Sequence, residues 1–179
     1  MDSQRRAVFL DRDGVINKAV VRAGKPYPPD TLEAFEYLPG AVEAIAALRG
    51  AGWLTIVVTN QPDVRSGKQQ RSVVDAMHRA LEDKTGVDDI CVCFHIDQDD
   101  CACRKPKPGM LCEAAHRWSV DLPISFMVGD RWRDIEAGRS AGCRTILVES
   151  DYDERQAERP DATVGSLWDA SRLILANND

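Results

Sequence analysis

The chain has 179 residues, 44% of them hydrophobic and 29% charged, a length and balance suited to one domain with its own buried core. Its formal charge of −6 weighs against a general nucleic-acid binder, which needs a positive field, yet leaves room for a local cationic pocket. No apolar run approaches the ~20 residues that cross a bilayer, and the opening MDSQRRAVFLDRDG lacks a secretory pattern, so a cytoplasmic protein is expected.

The first predicted strand is AVFL, Ala7 to Leu10, ending on Asp11. A stretch containing Gly24, Pro26, Pro28 and Pro29 follows and reads as irregular. Pro39 and Gly40 open a helix over AVEAIAALRGAG, and LTIVVTN, Leu54 to Asn60, reads as a strand buried on both faces. A helix is expected over Arg71 to Lys84, a strand over Ile90 to Phe94, and a helix from Pro108 and Gly109 through Trp118. SFMVGD forms a strand ending on Asp130, RDIEAGRSAG a short helix closed by Gly142, and TILVE a further strand. Asp151 to Pro160 reads as loop, followed by a weak strand at Ala162 to Val164 and a last helix from about Ser166. Short apolar strands alternating with helices predict an α/β fold, a central parallel sheet covered by helices on both faces, in a single domain over 1–179.

Asp11, Asp13 and Asp130 fall at or just beyond the carboxyl ends of predicted strands, the edge that carries the ligand crevice of an open parallel sheet. One aspartate there is ordinary. D-x-D-G after one strand and G-D-x-x-x-D after another is a cluster of carboxylates that repel, and a hard divalent cation such as Mg²⁺ resolves that repulsion.

Six cysteines are present, and four of them (Cys91, Cys93, Cys101, Cys103) lie within thirteen positions, which in a reducing compartment points to metal rather than to disulfides. The segment CVCFHIDQDDCACRKP contains C-x-H and C-x-C, and three thiolates with one imidazole suit a closed, structural zinc site of Cys93, His95, Cys101 and Cys103 in a loop at about 91–104. Cys91 competes with Cys93, since both point to the same face of the strand, and the sequence leaves that choice open. Cys112 and Cys143 read as buried thiols, and His78 and His116 as packing or surface residues.

LDRDG (Leu10 to Gly14), VVTNQ (Val57 to Gln61), CRKPKPG (Cys103 to Gly109) and VGDRWRD (Val128 to Asp134), in this order, resemble the four signature segments of the haloacid dehalogenase superfamily of aspartate-based phosphohydrolases. The resemblance runs from about Val8 to Val148 and implies a three-layer Rossmann-like fold. It further implies that Asp11 attacks phosphorus and that Asp13 protonates the leaving alkoxide and later activates water. Mg²⁺ would be held by Asp11, the Asp13 backbone carbonyl and Asp130, with Lys105 as a second positive group. Thr59 and the Asn60 backbone N–H would hold phosphate oxygens, and Asp134 would orient Lys105 or a cation-bound water.

The cysteine loop before Arg104, Lys105 and Pro106 narrows the resemblance to the zinc-loop subgroup that acts on heptose bisphosphates and histidinol phosphate, whose members generally lack a cap domain. No long insertion follows Gly14 or Gly67, in keeping with a capless enzyme. Val15, the Pro62–Asp63 pair and a longer proline-rich segment with Arg22 and Lys25 depart from that pattern and bear on the substrate. Arg104, Lys107 and Arg131 beside the site, with Arg65, Lys68 and Lys25 in nearby loops, favour a bisphosphorylated sugar, Arg104 and Arg131 being the expected substrate contacts. The acidic run Asp97, Asp99 and Asp100 keeps histidinol phosphate, with its amine, as the alternative. A nucleic-acid end phosphatase and a non-catalytic zinc-stabilised module are weaker readings. A small phosphorylated metabolite as partner, no nucleic acid or membrane, and a monomer are expected.

Overall fold

Residues 5–176 are described in a computed structural model of the chain. Six strands form one parallel sheet: β1 (Ala7–Leu10), β4 (Leu54–Asn60), β5 (Asp89–Cys93), β6 (Phe126–Gly129), β7 (Arg144–Val148) and β8 (Ala162–Val164), in the order β5-β4-β1-β6-β7-β8. β1 lies between β4 and β6, with Leu10 opposite Val57 on one side and Val128 on the other. A central parallel strand is covered on both faces, which is why AVFL and FMVG are uninterrupted apolar runs and fully buried.

Alternate residues of β1 enter opposite layers. Val8 and Leu10 join a core with α1 (Ala41–Gly50), α3 (Arg71–Thr85) and α6 (Leu167–Ala176). Ala7 and Phe9 join a second core with α4 (Gly109–Trp118) and α5 (Trp132–Ala141). Helices therefore cover both faces, as the alternating pattern predicts. Among the described residues no helix is long and apolar enough to cross a membrane.

Three details differ from the sequence reading. The proline-rich stretch is not wholly irregular. It carries an antiparallel hairpin, β2 (Val20–Arg22) and β3 (Lys25–Tyr27), turned by Ala23 and Gly24 at φ 49° and 74°. Two positive φ values make the two-residue turn that matches strand twist, and Pro26 is tolerated because a two-stranded ribbon is all edge. A short helix α2 (Pro62–Arg65) follows β4 directly. Cys143 is buried as expected, but Cys112 is exposed, since the apolar stripe Met110, Leu111, Ala114 and Ala115 turns it outward. The hairpin lies between Gly14 and α1.

Candidate active site

Neighbouring strands β4, β1 and β6 deliver Thr59, Asp11 and Asp130 to one edge of the sheet. Lys105 arrives from the loop after β5 and is 2% exposed. Its ammonium donates to the Val58 carbonyl at 2.7 Å, to Asp11 Oδ1 at 2.8 Å and to Asp134 Oδ1 at 2.6 Å. Asp134 sits in the first turn of α5, where its other oxygen accepts the backbone N–H of Arg131 at 3.1 Å. One carboxylate therefore caps a helix and anchors the lysine.

Carboxylate oxygens of Asp11, Asp130 and Asp134 lie within 4.8 Å of one another, and all three residues are buried. Burial, reinforced by Asp134, pushes Asp11 up to about 6 despite Lys105. Burial and then the Asp11 and Asp134 charges hold Asp130 well above the usual carboxylate range. Burial pulls Lys105 down, yet Asp11 and Asp134 outweigh it and keep the ammonium above the ordinary lysine value. The Tyr152 hydroxyl donates to Asp130 Oδ2 at 2.7 Å, while Asp130 Oδ1 is buried with no hydrogen-bond partner. Gly14, at φ +90°, closes this corner: a Cβ there would stand 1.9 Å from Asp130 Oδ2 and 2.7 Å from the Tyr152 hydroxyl.

Asp13 occupies a separate cradle. Its Oδ1 accepts from Asn17 Nδ2 at 2.9 Å and its Oδ2 from Gln61 Nε2 at 2.8 Å, while Arg12 Nη2 reaches both oxygens at 3.0 Å. Gln61 also donates to Thr59 Oγ1 at 3.1 Å. Asn60 exchanges two bonds with the Lys105 backbone, at 3.0 and 3.1 Å, fixing the lysine loop to the end of β4.

Asp11, Asp13, Asn60, Arg104, Lys105 and Arg131 line one open cleft of about 230 Å³, walled by the hairpin through Lys25 and Tyr27. Arg131 is held by Glu154, Nε to Oε1 at 2.8 Å. Arg104 donates Nε to Asp97 Oδ1 at 2.7 Å, and its buried Nη1 has no partner. Arg65 pairs with Asp99 at 3.6 Å and Lys107 with Asp100. The acidic run is thus matched by arginine and lysine.

Cys93, His95, Cys101 and Cys103 converge, with sulfur–sulfur separations of 3.3 to 3.7 Å and His95 Nδ1 at 3.4 Å from Cys103 and 3.6 Å from Cys93. Cys91 stays in β5 beside Asp89 and outside this group. Of the two cysteines that competed in the sequence, Cys93, the last residue of β5, is the one whose sulfur joins the group. Sequence reasoning passed over Arg12 and Gln61, which lie inside the signature segments, and Tyr152 and Glu154, which carry no local signal in a polar loop. It read His78 as packing or surface; the residue is buried, and its Nε2 lies 2.9 Å from Arg12 Nη1.

The family model "HAD-hyrolase-like" matches residues 102–170. The D-glycero-beta-D-manno-heptose-1,7-bisphosphate 7-phosphatase of Pseudomonas aeruginosa is 38% identical over 161 residues, covering 87% of this chain and 88% of the relative. The Bordetella bronchiseptica protein of the same name is 41% identical over 153 residues, covering 81% of each. The crystal structure of a B. bronchiseptica D,D-heptose 1,7-bisphosphate phosphatase, complexed with magnesium and phosphate, superposes with TM-score 0.79 at 32% identity, covering 96% of this chain and 98% of that one. A putative HAD-like phosphatase of Mesorhizobium loti gives TM-score 0.76 at 30% identity, covering 98% and 90%.

The chain belongs to the haloacid dehalogenase-like hydrolases and is a phosphatase. Within that class its relatives are the heptose bisphosphate phosphatases of P. aeruginosa and B. bronchiseptica.

Proposed function

We propose that the chain, as a single domain over 1–179, is a Mg²⁺-dependent phosphomonoesterase that removes the 7-phosphate of D-glycero-D-manno-heptose 1,7-bisphosphate in the cytoplasm. The observation that carries this reading is a buried group of three carboxylates, two of them bonded to one lysine, beside a cleft with an unpartnered arginine nitrogen. The relatives' shared activity supplies the sugar.

The residues fit a hard cation. Oxygen donors crowd one buried corner, and Asp130 Oδ1 lacks any partner in the protein. Asp11, Asp130 and the Asp13 backbone carbonyl would hold Mg²⁺, and the ion, when bound, would offset the repulsion between a carboxylate and a phosphate dianion.

Asp11 then forms an Oδ–P bond as the P–O bond to the sugar breaks, giving an aspartyl-phosphate. Asp13 delivers the proton to the departing alkoxide, then takes one from the water that frees Asp11. Lys105 keeps Asp11 aligned, anchored by Asp134, while Thr59 and the Asn60 N–H hold phosphate oxygens. Arg104, with its free Nη1, contacts the second phosphate. Arg131, whose Nε and Nη2 are taken by Glu154, has Nη1 left to offer. Cys93, His95, Cys101 and Cys103 would hold a structural Zn²⁺, since three sulfurs and one imidazole nitrogen gathered within 4.8 Å of one another are the donor set such a site uses.

Phosphate release from heptose 1,7-bisphosphate and from histidinol phosphate, each with and without EDTA, tests the substrate. Faster turnover of histidinol phosphate would overturn the sugar assignment, and full activity in EDTA the metal assignment. Asp13→Asn tests the chemistry: it should keep phosphate binding and lose most turnover, and near-full turnover would remove Asp13 from its role.

A further inference from the structure

Arg12, in the middle of LDRDG, is 0% exposed, an unusual place for a guanidinium. It is buried because its donors are used. Nε and Nη2 grip Asp13 at 3.3 and 3.0 Å, Nη1 meets His78 Nε2 at 2.9 Å, and the Phe35 ring lies 5.6 Å from Cζ. A guanidinium has no acceptor, so the contact with His78 is a hydrogen bond only if Nε2 carries a lone pair. His78 is therefore neutral, with its proton on Nδ1. Burial and the Arg12 charge both act in that direction, lowering the ring to about 4.

We infer that His78 is a positioning residue for Asp13, acting through Arg12. The inference rests on the acid–base role proposed for Asp13. His78 comes from α3, 66 positions from Arg12 along the chain. Its acceptor fixes the rotation of the guanidinium, and the guanidinium holds the same two Asp13 oxygens that accept from Asn17 and Gln61. Without that acceptor a buried charged donor is left unpaired, and the fork on Asp13 loses its anchor. The structural alternative is that His78 only packs α3 against the site.

Steady-state kinetics on heptose 1,7-bisphosphate separate the two, using His78→Leu and His78→Gln in the wild-type and Asp13→Asn backgrounds. The expected result is a roughly tenfold or larger fall in kcat for His78→Leu with KM little changed, and recovery of most of it in His78→Gln, whose amide oxygen can accept from Arg12. In the Asp13→Asn background His78→Leu should cost less than about twofold, because its effect passes through Asp13. Equal losses in both backgrounds, or a glutamine no better than leucine, would overturn the inference. Near-full turnover of Asp13→Asn alone would instead sink the reading beneath it, and is seen without touching His78. Nitrogen-15 NMR of the wild-type protein needs no variant to fold: an Nε2 without a proton at neutral pH is expected, and a protonated Nε2 would overturn the proposal.

Discussion

Lys105 uses all three ammonium protons on fixed oxygens, and two of those belong to buried carboxylates. An ion pair of this kind adds little net stability while intact but costs ~3–5 kcal/mol when one partner is removed, because the other charges stay buried. Lys105→Met is expected to lose about that much in urea unfolding with EDTA present, and to recover part of it when Mg²⁺ is restored. An unchanged midpoint in EDTA would show that Asp11 and Asp134 are not held by the lysine. His78 predicts a pH effect of definite sign. Its folded pKa is depressed to about 4 from 6.5, first by burial and then by Arg12. The unfolded chain binds a proton that the folded ring refuses, so this contribution is whole above about 6.5 and is lost as pH falls toward 4. The loss is on the order of 3 kcal/mol. Carboxylates titrate over the same range in any variant, so the measurement is the difference between wild-type and His78→Gln unfolding curves. Parallel curves from pH 7 to 4 would contradict it.

At the scale of elements, the cysteine loop determines where Lys105 can stand. Cys103 lies two residues before it, and Cys93 is the last residue of β5, so one ion at these sulfurs would tie the lysine loop to the sheet edge. Arg133 and Arg104 both reach Asp97, drawing α5 and the loop together. Elemental analysis should find one zinc per chain. A strong zinc chelator is expected to expose the 95–102 segment to limited proteolysis and to lower activity that Mg²⁺ alone does not restore. Protein free of zinc with full activity and a protease-resistant loop would refute the structural role. The hairpin does similar work on the opposite wall. Asp153 donates its backbone N–H to the Gly24 carbonyl at 2.8 Å, linking the hairpin turn to the segment that carries Tyr152 and Glu154.

For the whole molecule, site and core share one strand. Phe9, two residues before Asp11, is fully buried on the α4–α5 side of the sheet. Phe9→Ala is expected to cost ~3–5 kcal/mol in chemical denaturation through lost contacts and an unfilled cavity. Activity per folded molecule should change far less than stability, since Asp11 is held by Lys105 and by its backbone bond to the Val128 carbonyl. A loss below about 1 kcal/mol would mean that the layer repacks.

The strand and helix order, the parallel sheet, the acids at its edge and the grouping of Cys93, His95, Cys101 and Cys103 were legible in the sequence, because each leaves a short-range trace. Buried strands are apolar runs, helices repeat every three or four residues, and ligands fall at fixed spacings in loops. The hairpin was missed because Ala23–Gly24 is a weak turn signal and Pro26 argues against a strand. Side-chain pairing was not legible at all. Lys105 meets Asp11 across 94 positions, Arg131 meets Glu154 across 23, and His78 reaches Arg12 from a helix with no motif of its own. The sequence alone determined which chemical groups are present and which edge of the sheet receives them. Only the tertiary structure decided which charges neutralise one another, because that depends on distances across the sheet that no local pattern encodes.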